Sequence, residues 1–178
     1  MEVEAVKRFL LFVLLLQFIV GSSCTNMCRD QYGRVLPRYP RWSLKEKAGD
    51  PHGILRYDVV YVRRSEDRYH PGYQVVRFWP TGHYMSKLVN ELSLETIDAF
   101  DNSAVGYYQV ISRDEIIVEI YTTINFGQYA FVLYKLDNNG DLIRLSFGPS
   151  RSWWHAAPQK PWRYQPMRIG ELKLEPDW

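Results

Sequence analysis

Alternating apolar and polar positions fill the middle of the chain and predict short β-strands rather than helices. The clearest case is residues 115–124 (EIIVEIYTTI), where Ile116 and Val118 share one face and Glu115 and Glu119 share the other. A period of two is typical of a strand with one buried face and one partly solvated face. Similar stretches predict the other strands, at 54–63, 73–79, 83–88, 105–111, 128–136, 141–147 and 167–174.

These strands, about eight in all, are separated by short turns, which predicts an all-β fold: an antiparallel up-and-down β-barrel or a sandwich. Strands and helices do not alternate along the chain, so a doubly wound or TIM-type architecture is not expected. Asn139-Gly140 predicts a type I′ hairpin turn, because this pair tolerates positive φ angles. One short helix is predicted at 94–100, with Ser93 as its N-cap.

The segment 1–23 has the pattern of a secretory signal peptide. Residues 1–8 end in Lys7 and Arg8, and the apolar run 9–20 is interrupted only by Gln17. As a helix this run would span about 18 Å, short of the ~30 Å hydrocarbon core of a bilayer. The pattern therefore favours a signal segment over a membrane span, and no later stretch predicts a transmembrane helix.

Residues 18–24 (FIVGSSC) resemble the signal of bacterial lipoproteins, in which a branched apolar residue and two small residues precede a cysteine. Here Gly21 takes the third position before Cys24, and Val20 lies one position further out. The resemblance implies a diacylglycerol anchor on Cys24 and a bacterial cell-envelope protein, with Asn26 favouring the outer membrane. The alternative is ordinary cleavage before Cys24, which gives a secreted or periplasmic soluble protein in which Cys24 and Cys28 can form a disulfide.

The rest of the chain is expected to have three parts. Residues 24–53 combine proline, glycine and basic side chains and are interpreted as a tether. Residues 54–148 form the β-barrel domain. Residues 149–178 hold four of the six tryptophans and five of the ten prolines, and this segment is expected to pack on the barrel.

Three tryptophans of this last segment, Trp153, Trp154 and Trp162, are candidate functional residues. Aromatic side chains bury about 150–250 Å² each, so these rings can seal the barrel. They can also form an exposed surface that binds a sugar, a peptide or a partner protein, or that contacts a membrane interface. The sequence leaves these alternatives open.

Charge and cysteine content exclude several classes. The 178 residues carry 22 basic and 20 acidic side chains, a net charge of +2, which argues against a nucleic-acid binder. Two cysteines are too few for a disulfide scaffold or a four-cysteine zinc site. The four histidines are scattered singly, so neither a metal nor a cofactor is expected.

No catalytic motif is present in the chain, whether a nucleophile elbow, a P-loop, a dinucleotide fingerprint or a zinc-protease motif. Glu115 and Glu119 would lie about 13 Å apart along a strand, further than the roughly 5–9.5 Å that separates glycosidase carboxyl pairs. Glu119 is interpreted as a solvated outer residue, and 63–68 as a solvated charged loop. We therefore expect no catalytic residues and a protein that is not an enzyme.

Three stretches of the barrel domain resemble the calycin group, which includes lipocalins and small bacterial lipocalin-like lipoproteins. They are residues 77–84 (RFWPTGHY), residues 106–121 (with GYYQV and EIIVEIY) and the Asn139-Gly140 hairpin. The Gly-x-Trp motif of true lipocalins is missing from the first strand, so no ligand-binding residues are carried over. The resemblance implies a barrel that binds a small apolar ligand; the alternative is a structural or interaction lipoprotein with a filled barrel and a partner-binding, Trp-rich surface.

Overall fold

Eight antiparallel strands close into a barrel in the structure, a computed structural model that describes residues 27–66, 68, 71–122, 127–149 and 161–178. The barrel strands are β3 (Val60–Arg64), β4 (Tyr73–Phe78), β5 (His83–Val89), β6 (Ala104–Val110), β7 (Glu115–Thr122), β8 (Gln128–Leu136), β9 (Leu142–Gly148) and β10 (Trp162–Met167). Two further strands, β1 (Met27–Arg29) and β2 (Val35–Pro37), form a separate hairpin. The only helices in these ranges are α1 (Leu94–Ile97) and a 3₁₀ turn (Lys45–Lys47).

The strand order is that of an up-and-down barrel, in which each strand pairs with the next along the chain and β10 joins β9 to β3. The all-β prediction with one short helix is confirmed, whereas the signal segment 1–23 lies outside the described residues. Ser93 caps α1 as predicted, because its Oγ accepts a hydrogen bond from the Thr96 N–H at 3.2 Å. Within the described ranges no helix has the length and apolar character needed to cross a bilayer.

The eighth strand lies earlier than predicted, at Trp162–Met167 instead of 167–174. Trp162 and Tyr164 alternate with outward residues and face the barrel interior. Pro166 discourages a strand in the sequence because it lacks an N–H, yet it occupies a position near the end of β10, opposite Tyr61.

The β8–β9 hairpin forms where it is predicted, but its turn is not type I′. Gly140 has a φ of 81°, whereas Asn139 is not among the residues with positive φ. The Gly140 N–H donates to the Asp137 carbonyl at 3.0 Å, and the Asp137 N–H donates to the Asp141 carbonyl at 3.0 Å. This pattern is a type I turn followed by a left-handed glycine, which needs only one residue with positive φ.

One end of the barrel is filled by aromatic side chains, and we call it the packed end. It carries the short β4–β5, β6–β7 and β8–β9 turns. The ring of Phe78 makes edge contacts with Tyr61, Tyr84 and Tyr108 at centroid distances of 5.9, 5.4 and 5.0 Å. The Tyr108 hydroxyl donates to the Trp79 carbonyl at 2.8 Å. The opposite end, where β3 connects to β4, β5 to β6 and β7 to β8, is called the cavity end.

Residues 27–53, within the expected tether, lie along the outer face of the barrel. Leu44 is fully buried and packs against Tyr107, Ile117 and Phe131, which point outward from β6, β7 and β8. Its N–H donates to the carboxylate of Glu119 at 2.8 Å. Glu119 is only 2% exposed, so its interpretation as a solvated residue is wrong. The strand alternation correctly placed it on the outer face, but gave no sign that another segment covers that face.

The described C-terminal residues also contact the outside of the barrel. The Trp178 indole N–H donates to the Gly106 carbonyl at 3.1 Å. A buried ion pair joins Arg77 on β4 to Asp98 at the end of α1, at 2.8 Å. Asp98 also accepts a hydrogen bond from the Leu174 N–H at 3.1 Å, so one carboxylate connects the barrel wall, the helix and the C-terminal residues.

Candidate functional site

The sequence singled out four residues, and the structure describes one of them. Cys24, Trp153 and Trp154 lie outside the described residues, so lipidation and a Trp-rich partner surface stay predictions. Trp162 begins β10 at the cavity end and is half-buried. Two guanidinium groups lie over the indole of Trp162: that of Arg144 is 3.3 Å and that of Arg63 is 4.2 Å from the ring centroid.

A cavity of about 190 Å³ lies next to Arg144, inside the cavity end of the barrel. Its apolar lining includes Val76, Ile120, Val132 and Phe147. The volume is below the roughly 300–1,000 Å³ of typical small-molecule pockets, but above the ~150 Å³ that holds benzene in an engineered protein cavity. It therefore has room for one small ring or for one end of a longer molecule.

Tyrosine hydroxyls form part of the polar lining, together with Gln74, Ser86, Asn102 and two cationic residues, Lys87 and Arg144. The Lys87 ammonium group donates to the Ala99 carbonyl at 2.6 Å. Tyr84 and Tyr134 share a hydrogen bond of 2.8 Å, and the Tyr164 hydroxyl donates to Gln74 Oε1 at 2.9 Å. Burial raises the pKa of all three tyrosines above the ordinary value. These hydroxyls therefore stay protonated and neutral near pH 7, where they serve as hydrogen-bonding groups.

A β-bulge on β9 brings two different side chains into the cavity. Leu133 pairs with Ser146, whereas the next residue, Tyr134, pairs with Arg144, so β9 has one residue more than β8 at this point. The extra residue breaks the period of two. As a result Arg144 and Phe147, three positions apart, both line the interior.

The charge inside the barrel is of one sign. Among the described strand residues that face the interior, the charged ones are Arg63 and Arg144, and neither has an Asp or Glu oxygen of another described residue within 4.0 Å. Arg63 Nη1 has one long contact, 3.5 Å, with Gln74 Oε1. The described buried arginines on the outside differ, since Arg34 and Arg77 each contact an aspartate.

Sequence reasoning missed both interior arginines. Arg63 was assigned to a solvated loop, although it has the same strand parity as the buried Tyr61. Arg144 lies two positions from the buried Leu142 on β9, and that spacing was the available signal. Basic residues are seldom placed inside a barrel by hydrophobicity alone, because isolated charges are costly to bury.

Two larger clefts lie outside the barrel wall, with volumes of about 360 and 350 Å³. The first is lined by residues that include Tyr39 and Tyr129, and the second by residues that include Arg29 and Asn102. In the described ranges, no three His, Cys, Asp or Glu side chains are placed to hold a metal ion. The interior cavity remains the place where apolar walls and converging polar groups coincide.

The fold defines the class of the protein: an eight-stranded antiparallel barrel that is compatible with a lipocalin-like fold. Comparisons of the chain with protein-family models, with curated proteins and with solved structures found no match. The functional argument therefore rests on the barrel and its cavity.

Proposed function

We propose that the protein binds a small, largely apolar ligand inside its barrel and does not catalyse a reaction. The observation that carries this proposal is the division of the interior into two halves. Aromatic rings fill the packed end, while the cavity end keeps about 190 Å³ of space lined by apolar side chains. A barrel built only as a scaffold would gain stability by filling this space, since an empty volume forfeits packing contacts.

The ligand proposal is tested by native mass spectrometry of the protein purified from its own host. We expect a mass beyond that of the chain and any covalent lipid, and we expect it to be lost on gentle activation. The variant Ser86→Phe places a ring in the cavity lining and should abolish the extra mass. Gln165→Phe is the matched control, because Gln165 is exposed on the outside of β10.

If the wild-type protein carries no extra mass, the proposal fails and a filled structural barrel is favoured. If Ser86→Phe keeps the ligand as well as Gln165→Phe does, the ligand lies elsewhere. Circular dichroism on both variants shows whether the barrel is intact.

We further propose that the chain is exported and anchored in a bacterial cell envelope by a lipid on Cys24. Support comes from the resemblance of residues 18–24 to a lipoprotein signal. Cys24 precedes the first described strand by three residues, a reach of about 10 Å when extended. Strand β2 of that hairpin contacts β7, so an anchor at Cys24 would hold the barrel beside the bilayer.

Replacing Cys24 by Ser should release the protein from membranes after a salt wash. Cys28→Ser is the matched control, because Cys28 is an exposed free cysteine four positions away and should not affect retention. Membrane retention of the Cys24→Ser protein would contradict the lipid anchor.

A further inference from the structure

Two arginines at the cavity end have no carboxylate oxygen of a described residue within 4.0 Å. Arg144 lines the cavity, and Arg63 lies next to it, 3.5 Å from the Oε1 of Gln74, which also lines it. Arg63 lies on β3 and Arg144 on β9, and β10, which carries Trp162, pairs with both of these strands. Both guanidinium groups lie against the indole of Trp162, with centroid distances of 4.2 Å for Arg63 and 3.3 Å for Arg144. Stacking on an aromatic face holds a guanidinium in place without using its N–H groups.

Most of the hydrogen-bonding capacity of these two side chains is unused within the described residues. A guanidinium has five N–H donors in a planar fork. Arg144 donates to no described residue, and Arg63 has only its 3.5 Å contact with Gln74. By contrast, Arg163 on the outside of the barrel binds Asp137 and Asp141. Among the described residues, an exposed arginine thus has acidic partners, whereas Arg144 in the cavity lining and Arg63 beside it have none.

We propose that the ligand is an amphiphilic organic acid whose carboxylate binds Arg63 and Arg144 while its apolar part occupies the cavity. This inference rests on the proposed ligand-binding function and adds the chemical class of the ligand. A carboxylate matches the guanidinium fork and can accept two parallel hydrogen bonds from it. The β9 bulge places both Arg144 and Phe147 in the lining of the same cavity. Arg144 can bind the carboxylate of such a ligand, and Phe147 can contact its apolar part.

The other polar groups of the cavity agree with an anion. The nearby tyrosine hydroxyls are neutral and add no negative charge. In the Tyr84–Tyr134 pair one hydroxyl donates to the other, and the accepting hydroxyl keeps its own proton for an oxyanion. A cationic ligand would meet two like charges in a half-buried space, where repulsion is screened less than at the surface. A neutral ligand would leave both guanidinium groups unpaired.

Isothermal titration calorimetry on the full chain, freed of any bound ligand, tests the inference with four probes that share one alkyl chain. The probes are octanoate, octanol, octyltrimethylammonium and octyl phosphate. We expect octanoate to bind at least tenfold more tightly than octanol, because hydrogen bonds to a charged group are among the stronger ones. Octyltrimethylammonium should bind more weakly than octanol.

Two variants identify the residues responsible. Arg144→Met and Arg63→Met keep a long apolar side chain and remove the charge; each should weaken octanoate binding by roughly tenfold and change octanol binding little. Arg113→Met is the matched control, because Arg113 is exposed in the β6–β7 turn at the packed end. It makes the same change in net charge and should leave octanoate binding unaltered.

The outcomes separate this inference from the proposed function. If octanol and octanoate bind equally, or if both cavity variants behave like Arg113→Met, the acidic-ligand inference fails while apolar ligand binding stands. Tighter binding of octyl phosphate than of octanoate would overturn the carboxylate assignment. If no probe binds and native spectra show no adduct, the proposed function itself fails.

Discussion

Leu44 offers a sharp test of how far residues 27–53 belong to the folded structure. Its side chain is 0% exposed and packs with Tyr107 and Phe131 on the outer wall. Truncating a fully buried leucine to alanine costs about 3 kcal/mol, because the transfer term and the cavity term add. For a protein of this size we expect Leu44→Ala to lower the melting temperature by about 6–12 °C.

The assay is thermal and urea unfolding followed by circular dichroism, with Leu94→Ala as the matched control. Leu94 is 44% exposed at the start of α1, so the same truncation should cost less than about 1 kcal/mol there. Equal effects of the two substitutions would refute the packing argument. They would show that the segment around Leu44 detaches from the barrel in solution, as a tether would.

Three further predictions follow from local geometry. Gly140→Ala should cost about 1 kcal/mol in urea unfolding because its φ is 81°, whereas Asn139→Ala should cost little; equal losses would restore the type I′ turn. Asp98→Asn should cost about 3 kcal/mol by the same assay, since it leaves the 5% exposed Arg77 without its counter-charge, and a loss below about 1 kcal/mol would mean that Arg77 is solvated. Burial lowers the pKa of His83 below 6.5, so the unfolded state binds the proton more readily and stability should fall as pH drops below that value. In His83→Gln this loss between about pH 7 and pH 5 should be smaller than in wild type, and identical pH profiles would contradict it.

The barrel itself could be predicted from the sequence because each strand carries its own signal. Apolar alternation and β-branched residues mark β3 to β9, and glycine or proline marks most of the turns between them. The Ser93 cap is equally local.

The turn type at Asn139-Gly140 was mispredicted because the same pair fits two hairpin geometries. Asp137 favours the observed one, since its side chain accepts hydrogen bonds from the N–H groups of Asn139 and Asp141 at 2.9 Å each.

The candidate site was harder to predict because it depends on contacts between strands distant in sequence. The pairing of Trp162 with Arg144 requires the β9–β10 register, and the stacking of Arg63 on the same ring requires barrel closure. The β9 bulge could not be predicted, because the stretch 143–147 contains no glycine or proline that would indicate it. The burial of Glu119 likewise results from the N-terminal residues that cover it, a tertiary effect that strand periodicity does not contain.

The position of β10 in the barrel also determines when folding can finish. Strands β3 to β9 each pair with a strand close in sequence, so they can add one hairpin at a time. Until residues 162–167 are synthesised and in place, β3 and β9 are the bare edges of an open sheet. Such edges bind other chains readily. The last barrel strand therefore protects the nascent chain from aggregation. Pairing β10 with β3 closes a loop of some hundred residues, and such a non-local contact is expected to be the slow step of folding.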